Sequence, residues 1–422
     1  MFESLITQVD RDDVHWVDGN QENANKLPMF NTPNLVEPIL TWERIRTTDV
    51  GLDLGFLNNE LSVGFDWYQR ENTDMLAPSQ VLPQVLGTDA PMANAGTLRT
   101  RGWELTLDWH HRFGEFNVYA NFNLADSKTV VTKWESKAKL LNQNYSGKTY
   151  GDIWGFETDR YFEESDFTGQ NANGTWNYAN GIASQKGLEQ GSFHYGPGDV
   201  KFKDLDGNGV IDGGEGTADN HGDLKVIGNF LPRYEYSFHL GGAWRGFDLD
   251  LFFQGVGKRH VWTVSSMNFP LMREADLAIY DHQLSYNRVI YKNGLKDVER
   301  YEVNQANKYP RLFPGNDPQG NISVIDAGTN NYYPQSRYLT DMSYLRLKNV
   351  TLGYTLPKEL TRKAYIQKAR IYLSASNLFL LYKGNDLPVD PEINAGAGLK
   401  FGGWGRTAPI TRTLSFGMQV TL

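Results

Sequence analysis

The sequence predicts an all-β chain, specifically a transmembrane antiparallel β-barrel with long extracellular loops, on three observations. Segments of about ten residues alternate apolar and polar side chains, which is the period of a strand with one greasy face and one wet face. Their connections alternate between short and long, as in barrels with short periplasmic turns and long outer loops. No run approaches the ~20 apolar residues of a membrane helix, so any crossing of a membrane is by strands.

Residues 1 to 45 are polar, lack a clear period and read as loop. From Thr47 the alternation begins, with Val50, Leu52, Leu54 and Phe56 on one face. A tight turn at Leu57-Asn58-Asn59-Glu60 suits the positive backbone angles of a short hairpin, and Leu61, Val63, Phe65 and Trp67 return. After a loop at about 72–95, Trp103, Leu105, Leu107 and Trp109 lead to a reversal at His111-Arg112-Phe113-Gly114. The partner strand carries Phe116, Val118, Ala120, Phe122 and Leu124. A connection of about 127–230 follows, far beyond the ~15 residues that compact domains tolerate in a functionless loop.

The third hairpin has Tyr234, Tyr236, Phe238 and Leu240, a turn at Trp244-Arg245-Gly246, then Phe247, Leu249, Leu251 and Phe253. A second long connection spans about 258–340. In the next strand the apolar phase slips from Leu345 and Leu347 to Val350, Leu352 and Tyr354, which places a β-bulge near Lys348-Asn349. Pro357 stops that strand, and Ile371, Leu373 and Ala375 begin its partner. A loop at about 379–409 leads to the last strand, with Leu414, Phe416, Met418, Val420 and Leu422 alternating. Nine strands result. Single-chain bacterial barrels have even numbers, and no basic or apolar leader opens the chain, so it reads as the carboxy-terminal part of a longer protein.

Composition narrows the function classes. Lys plus Arg total 41 against 50 Asp plus Glu, a balance of −9 without a basic patch, which argues against nucleic acid because phosphate contacts need clustered cations. Cysteine is absent, which removes disulfides, thiolate nucleophiles and cysteine-ligated metals. The eight His are scattered, and no metalloprotease, phosphate-loop or nucleophile-elbow pattern occurs, so the chain reads as a non-enzyme.

The sharpest local motif runs from Asp204 to Glu215 and fits D-x-[DN]-x-[DN]-G-x5-E at every specified position. Calcium takes six to eight oxygens, and this spacing offers Asp204, Asp206, Asn208, the Val210 carbonyl, Asp212 and a bidentate Glu215, with Gly209 at the sharp turn. No amphipathic helix flanks it, so the expected role is structural ordering of a long loop. The alternative is a solvated Asp/Gly turn. In the same connection, Trp154, Phe156, Tyr161, Phe162, Trp176 and Tyr178 are candidates to stack on sugar rings, or else to hold the loop together. Asp53, Asp66, Glu104, Asp108, Asp248 and Asp250 fall on the expected lumen face.

These residues resemble a known family, the SusC/RagA group of TonB-dependent outer-membrane transporters of Bacteroidetes. The resemblance is carried in order by LTWERIRTTDVGLDLGFLNNELSVGFDWYQRENTDML, NAGTLRTRGWELTL, DIWGFETDRYF, GPGDVKFKDLDGNGVID and VIGNFLPRYEYSF. It continues through YLRLKNVTLGYTLP, IYLSASNLFLL, VDPE at Val389 to Glu392 and the terminal TRTLSFGMQVTL. The final residue, Leu422, departs from the family's usual Phe. What the resemblance implies is a barrel of about 22 strands closed by an amino-terminal plug. It also implies a SusD-like surface lipoprotein as partner, the TonB complex acting through the plug, and import of an oligosaccharide or peptide. No plug or TonB box lies in these residues. A reading of another class is a secreted, calcium-stabilised β-sandwich that binds glycans.

Overall fold

The computed structural model describes residues 40–78, 91–190, 193–263, 268–270, 279–292, 298–312, 330–393 and 408–422. Most of the opening stretch read as loop, 1–39, and the Gly/Pro-rich part of the last connection, 394–407, lie outside the described residues.

Nine long strands are β1 (Arg44–Phe56), β2 (Leu61–Pro78), β3 (Met92–Phe113), β4 (Phe116–Lys133), β5 (Arg233–Trp244), β6 (Phe247–Lys258), β7 (Tyr344–Thr355), β8 (Lys368–Lys383) and β9 (Thr413–Thr421). They form one sheet whose spatial order is the chain order, and the ladders from β4 to β9 are antiparallel. A sandwich needs two such sheets packed face to face. The long strands make only one, and the sandwich reading is therefore set aside.

The turns follow from local chemistry. Leu57, Asn58 and Asn59 all have positive φ, and Glu60 N–H donates to Leu57 O at 3.1 Å. Arg245 and Gly246, at φ 45° and 90°, make the two-residue turn between β5 and β6, whose backbone twist matches that of the flanking strands. The second hairpin reverses at Gly114-Glu115, slightly later than the sequence suggested, because β3 keeps its ladder through Phe113. After β7, Pro357 precedes a single helical turn, α1 (Lys358–Thr361), before β8.

The bulge lies where the phase slip placed it. Phe252 pairs with Asn349 and Phe253 with Leu347, so Lys348 is the extra residue. Its displaced side chain reaches Glu392 Oε2 at 2.6 Å, while Arg346, 5% exposed, meets Asp390 Oδ2 at 2.5 Å and Glu392 Oε1 at 2.7 Å. These three bridges tie the VDPE segment to β7. Bulges commonly re-aim a side chain in this way.

Contacts divide the chain into two compact units. One holds residues 1–49, 68–101 and 128–150, where Ala77, Ala95, Val131 and Tyr145 are buried and the Asn94 amide donates to the carbonyls of Thr41 and Asp74. The other holds 50–67, 102–127 and 151–422. In it, one face of the sheet is apolar and open: Leu240, Leu249, Leu352 and Leu373, on four successive strands, are 40–59% exposed. Such a continuous exposed band is what lipid covers in a barrel. Tyrosines lie across strand glycines on neighbouring strands, so that a Cβ on Gly241 would overlap the Tyr119 ring and one on Gly417 the Tyr372 ring.

Two expectations about the connections are corrected. Strands β2 and β3 run to Pro78 and from Met92, and β4 and β8 run to Lys133 and Lys383, so the loop predicted at 72–95 begins and ends as strand and those predicted at 127–230 and 379–409 begin as strand. Ladder hydrogen bonds continue past the apolar alternation through polar residues such as Asn72, Thr73 and Asp74, where the sequence pattern gives no signal. The long connections also carry their own β structure. Asp152–Phe156 pairs with Leu224–Asn229, Thr158–Tyr161 with Val200–Phe202, Phe167–Gln170 with Trp176–Tyr178, and Arg288–Tyr291 with Val298–Glu302.

Candidate functional site

From the two long connections, the described residues of 151–232 and of 259–343 fold together into one cap. Its core takes Phe156, Tyr161, Phe162, Tyr195 and Ile211 from the first and Phe269, Tyr309, Tyr332 and Tyr338 from the second. Tyr309 stacks on Tyr338 with centroids 5.9 Å apart, and Phe269 meets Tyr332 at 4.5 Å. Backbone bonds stitch the connections: Phe156 N–H donates to Pro334 O at 2.8 Å, Ser336 N–H to Phe156 O at 3.0 Å, and Arg311 N–H to Gly198 O at 2.9 Å.

A buried ion pair sits in that seam. Asp199, with no exposed surface, accepts from Arg311 Nε at 2.8 Å, Asn331 Nδ2 at 2.8 Å and Gly196 N–H at 2.8 Å. Asn331 Oδ1 in turn accepts from Val200 N–H at 2.8 Å. Burial pushes the Asp199 carboxyl above its ordinary value, and the Arg311 and Asn331 contacts pull against that shift. Buried charges persist in proteins when they are paired and fully hydrogen-bonded in this manner.

Three of the aromatic candidates lie in this core. Phe156, Tyr161 and Phe162 are 3%, 0% and 0% exposed, which favours the loop-holding role for these three. Tyr161 Oη donates to Asn307 O at 3.0 Å, and Arg337 lies over its ring at 4.3 Å. Trp176 and Tyr178 pack against the core from their hairpin, and half-buried Trp154 packs on His221 with centroids 5.2 Å apart. A connection this long must bury apolar area to be ordered, and its largest rings are what it has to bury.

The acidic motif folds as a chain of side-chain-to-backbone turns. Asp204 accepts from Gly207 N–H at 2.7 Å and Gly209 N–H at 2.9 Å, Asn208 Oδ1 from Val210 N–H at 2.7 Å, and Asp212 Oδ1 from Gly214 N–H at 2.7 Å. Gly209, at φ 84°, holds the sharp turn that a Cβ would strain. Ile211, fully buried, anchors the loop in the cap core, and a bridge from Ser184 holds Val210. Asp204 and Asp206 are joined by Asp223, their ligand oxygens all within 4.8 Å of one another. Neither Asp212 nor Glu215 belongs to that group, and Glu215 is exposed. Asp223 was missed because it lies outside the twelve-residue motif. The chain returns it: Asp223 Oδ1 accepts from Leu205 N–H at 2.6 Å and Oδ2 from Asp212 N–H at 3.0 Å. Three carboxylates are hard oxygen donors of the kind calcium takes.

Nearby, Glu157 bridges Lys203, at 2.6 Å, and Lys225. These hydrogen bonds hold its carboxyl at about 2, below the usual 4.5. A depressed folded-state value stabilises the fold above the unfolded value and the gain disappears as pH falls toward 2. The bridges are partly solvated, so their contribution is about 1 kcal/mol or less. Glu157→Gln is expected to lower cap stability by that amount at pH 7 and by nothing near pH 2, read from denaturant midpoints at both pH values.

The polar face of the sheet is bonded from strand to strand. Thr106 donates to Asn123 Oδ1 at 3.0 Å and Asn123 to Ser237 Oγ at 3.2 Å. Tyr119 and His239 both contact Asp250, Arg370 pairs with Asp248, Asn121 bonds Asp108, and Thr351 meets Ser374 at 3.1 Å. The expected lining residues Asp108, Asp248 and Asp250 thus lie in one ladder crossing β3 to β8.

An open apolar face, a bonded polar face, strictly sequential strands and a folded cap define the class: part of a transmembrane antiparallel β-barrel. No protein-family model matches the chain. It is 26% identical over 437 residues to TonB-dependent receptor P3 of Formosa agariphila, covering 96% of this chain and 36% of that protein. It is 24% identical over 381 residues to TonB-dependent receptor SusC of Bacteroides thetaiotaomicron, covering 86% and 31%. The structure of the RagAB peptide transporter matches 99% of this chain and 38% of its own, with TM-score 0.58 at 22% identity, a likeness of fold. The chain is similar to these TonB-dependent receptors, SusC among them, shares the RagAB transporter's fold, and spans about a third of the length of these curated relatives.

Proposed function

We propose that the protein carrying this chain imports oligosaccharides or peptides across the outer membrane, with TonB-derived energy acting through a plug and a SusD-like lipoprotein at the cell surface. The polar ladder from β3 to β8 carries the reading, because a wall of bonded Asp, Asn, Tyr and Arg is what a solute-passing lumen presents while the opposite face meets lipid. Similarity to receptors and transporters supports a non-enzyme. Fractionating the source cells and blotting with an antibody to Thr413–Thr421 is expected to give an outer-membrane band, and deleting the gene is expected to abolish uptake of the solute. A soluble band overturns the reading.

Calcium belongs to the same proposal as a structural ion. Asp204, Asp206 and Asp223 would hold it, with Asn208 and the Val210 carbonyl from the motif. When bound it would neutralise three crowded carboxylates and fix the loop. Chelation is expected to raise protease sensitivity at residues 204–223, and Asp223→Ala to make the loop indifferent to calcium. Glu215→Ala is expected to leave the calcium response intact. Protection that ignores chelation in the unsubstituted protein would count against the ion.

A further inference from the structure

A cavity of about 350 Å³ opens where the cap meets the start of the last connection, a volume within the range of small-ligand sites. Its wall is built from the second connection, from the segment entering β7 and from the residues after β8. Two cations, Lys308 and Arg337, and two carboxylates, Asp341 and Asp386, line it. We propose that this cavity binds a short peptide through its charged ends, the carboxylate end to the cations and the ammonium end to the carboxylates. The inference rests on the import reading and narrows its substrate class.

Three features favour a peptide over a neutral saccharide. A saccharide site offers an open aromatic ring for the C–H face of a sugar, yet among the described residues the one ring lining this cavity, Tyr338, is 6% exposed and belongs to the cap core. The charges of both signs are worth most to a ligand that carries both. Their bonding also leaves capacity for one. Lys308 Nζ has Asp386 Oδ2 at 2.6 Å, and Asp386 is 70% exposed, so the pair opens to solvent. Arg337 lies on the Tyr161 ring and gives Nη2 to Asn307 O at 2.6 Å, which fixes the guanidinium plane before any ligand arrives. Asp341 accepts from Ser343 N–H at 2.8 Å through Oδ1. Preorganised charges of this kind bind with little ordering loss.

The Lys308 and Asp386 pair also links the cap to the last connection, so a structural role must be separable from ligand reading. The test is equilibrium dialysis on native outer-membrane vesicles holding the intact protein, with three probes: tetra-alanine with free ends, the same peptide acetylated and amidated, and maltotetraose. Free tetra-alanine is expected to bind, the blocked peptide about tenfold more weakly and maltotetraose not at all. Lys308→Ala and Asp386→Ala are each expected to weaken the free peptide about tenfold. The double exchange Lys308→Asp with Asp386→Lys restores the inter-segment bridge and is expected not to restore binding. Recovery by the exchange, or peptide binding indifferent to all three variants, overturns the site. Binding of maltotetraose in place of peptide overturns the substrate class and leaves import standing. Binding of neither probe overturns the site, and absence of the protein from the vesicles overturns the import reading itself.

Discussion

Arg311→Ala is expected to destabilise the cap by about 3–5 kcal/mol, because it leaves Asp199 charged, buried and short of its main partner. That loss corresponds to roughly a hundredfold to a few thousandfold in the fraction of caps locally open. Hydrogen exchange on the intact protein reads it directly, since the amides of Val200 and Phe202 are bonded to Asn331 and Gln185 within the same seam. Both amides are expected to lose protection in the variant, whereas amides in the β5–β6 ladder keep theirs. Asp199→Asn retains an acceptor for Asn331 and Gly196 and is expected to do less damage. The double variant Asp199→Ala with Arg311→Leu removes both charges and is expected to be milder than Arg311→Ala alone. Equal exchange in Arg311→Ala and the unsubstituted protein would show that the pair does not hold the two connections together.

How much of this was legible in the sequence depends on how local the cause is. The hairpins were readable because alternation, Asn58-Asn59 and Arg245-Gly246 act within a few residues. Even the extra residue at Lys348 announced itself, since a bulge must shift the apolar phase by one. The cap was not readable. Tyr161 bonds Asn307, 146 residues away, and lies over against Tyr338 at a separation of 177, distances at which no periodic pattern survives. The acidic motif shows the boundary well. Asp204, Asp206 and the Gly209 turn lie where the spacing puts them, but the third carboxylate is Asp223, supplied by the return of the chain. Strand ends failed for a different reason: β2 and β3 outrun their apolar stretches, and a polar ladder in water carries no hydrophobic signature.

Tyr161 separates the two roles that the sequence left open for the loop aromatics. If it is core, Tyr161→Ala removes a fully buried ring, leaves Arg337 without its platform and takes from Asn307 O one of its two donors, at a cost of about 3–5 kcal/mol. Cap amides are then expected to exchange quickly and protease to enter residues 150–230, whichever solute is present. Tyr161→Phe keeps the ring and loses only the hydroxyl bonds, so about 1 kcal/mol is expected. Trp154→Ala should fall between the two, because Trp154 is half-buried at the margin of the same connection. A residue that stacked on substrate would behave in the opposite order: its removal would weaken uptake at low solute concentration and leave exchange untouched. Cap protection unchanged in Tyr161→Ala would therefore return this ring to the binding surface and remove it from the core. The expected result makes the cap core a rigid support that holds Arg337, and through it the charged cavity, in place.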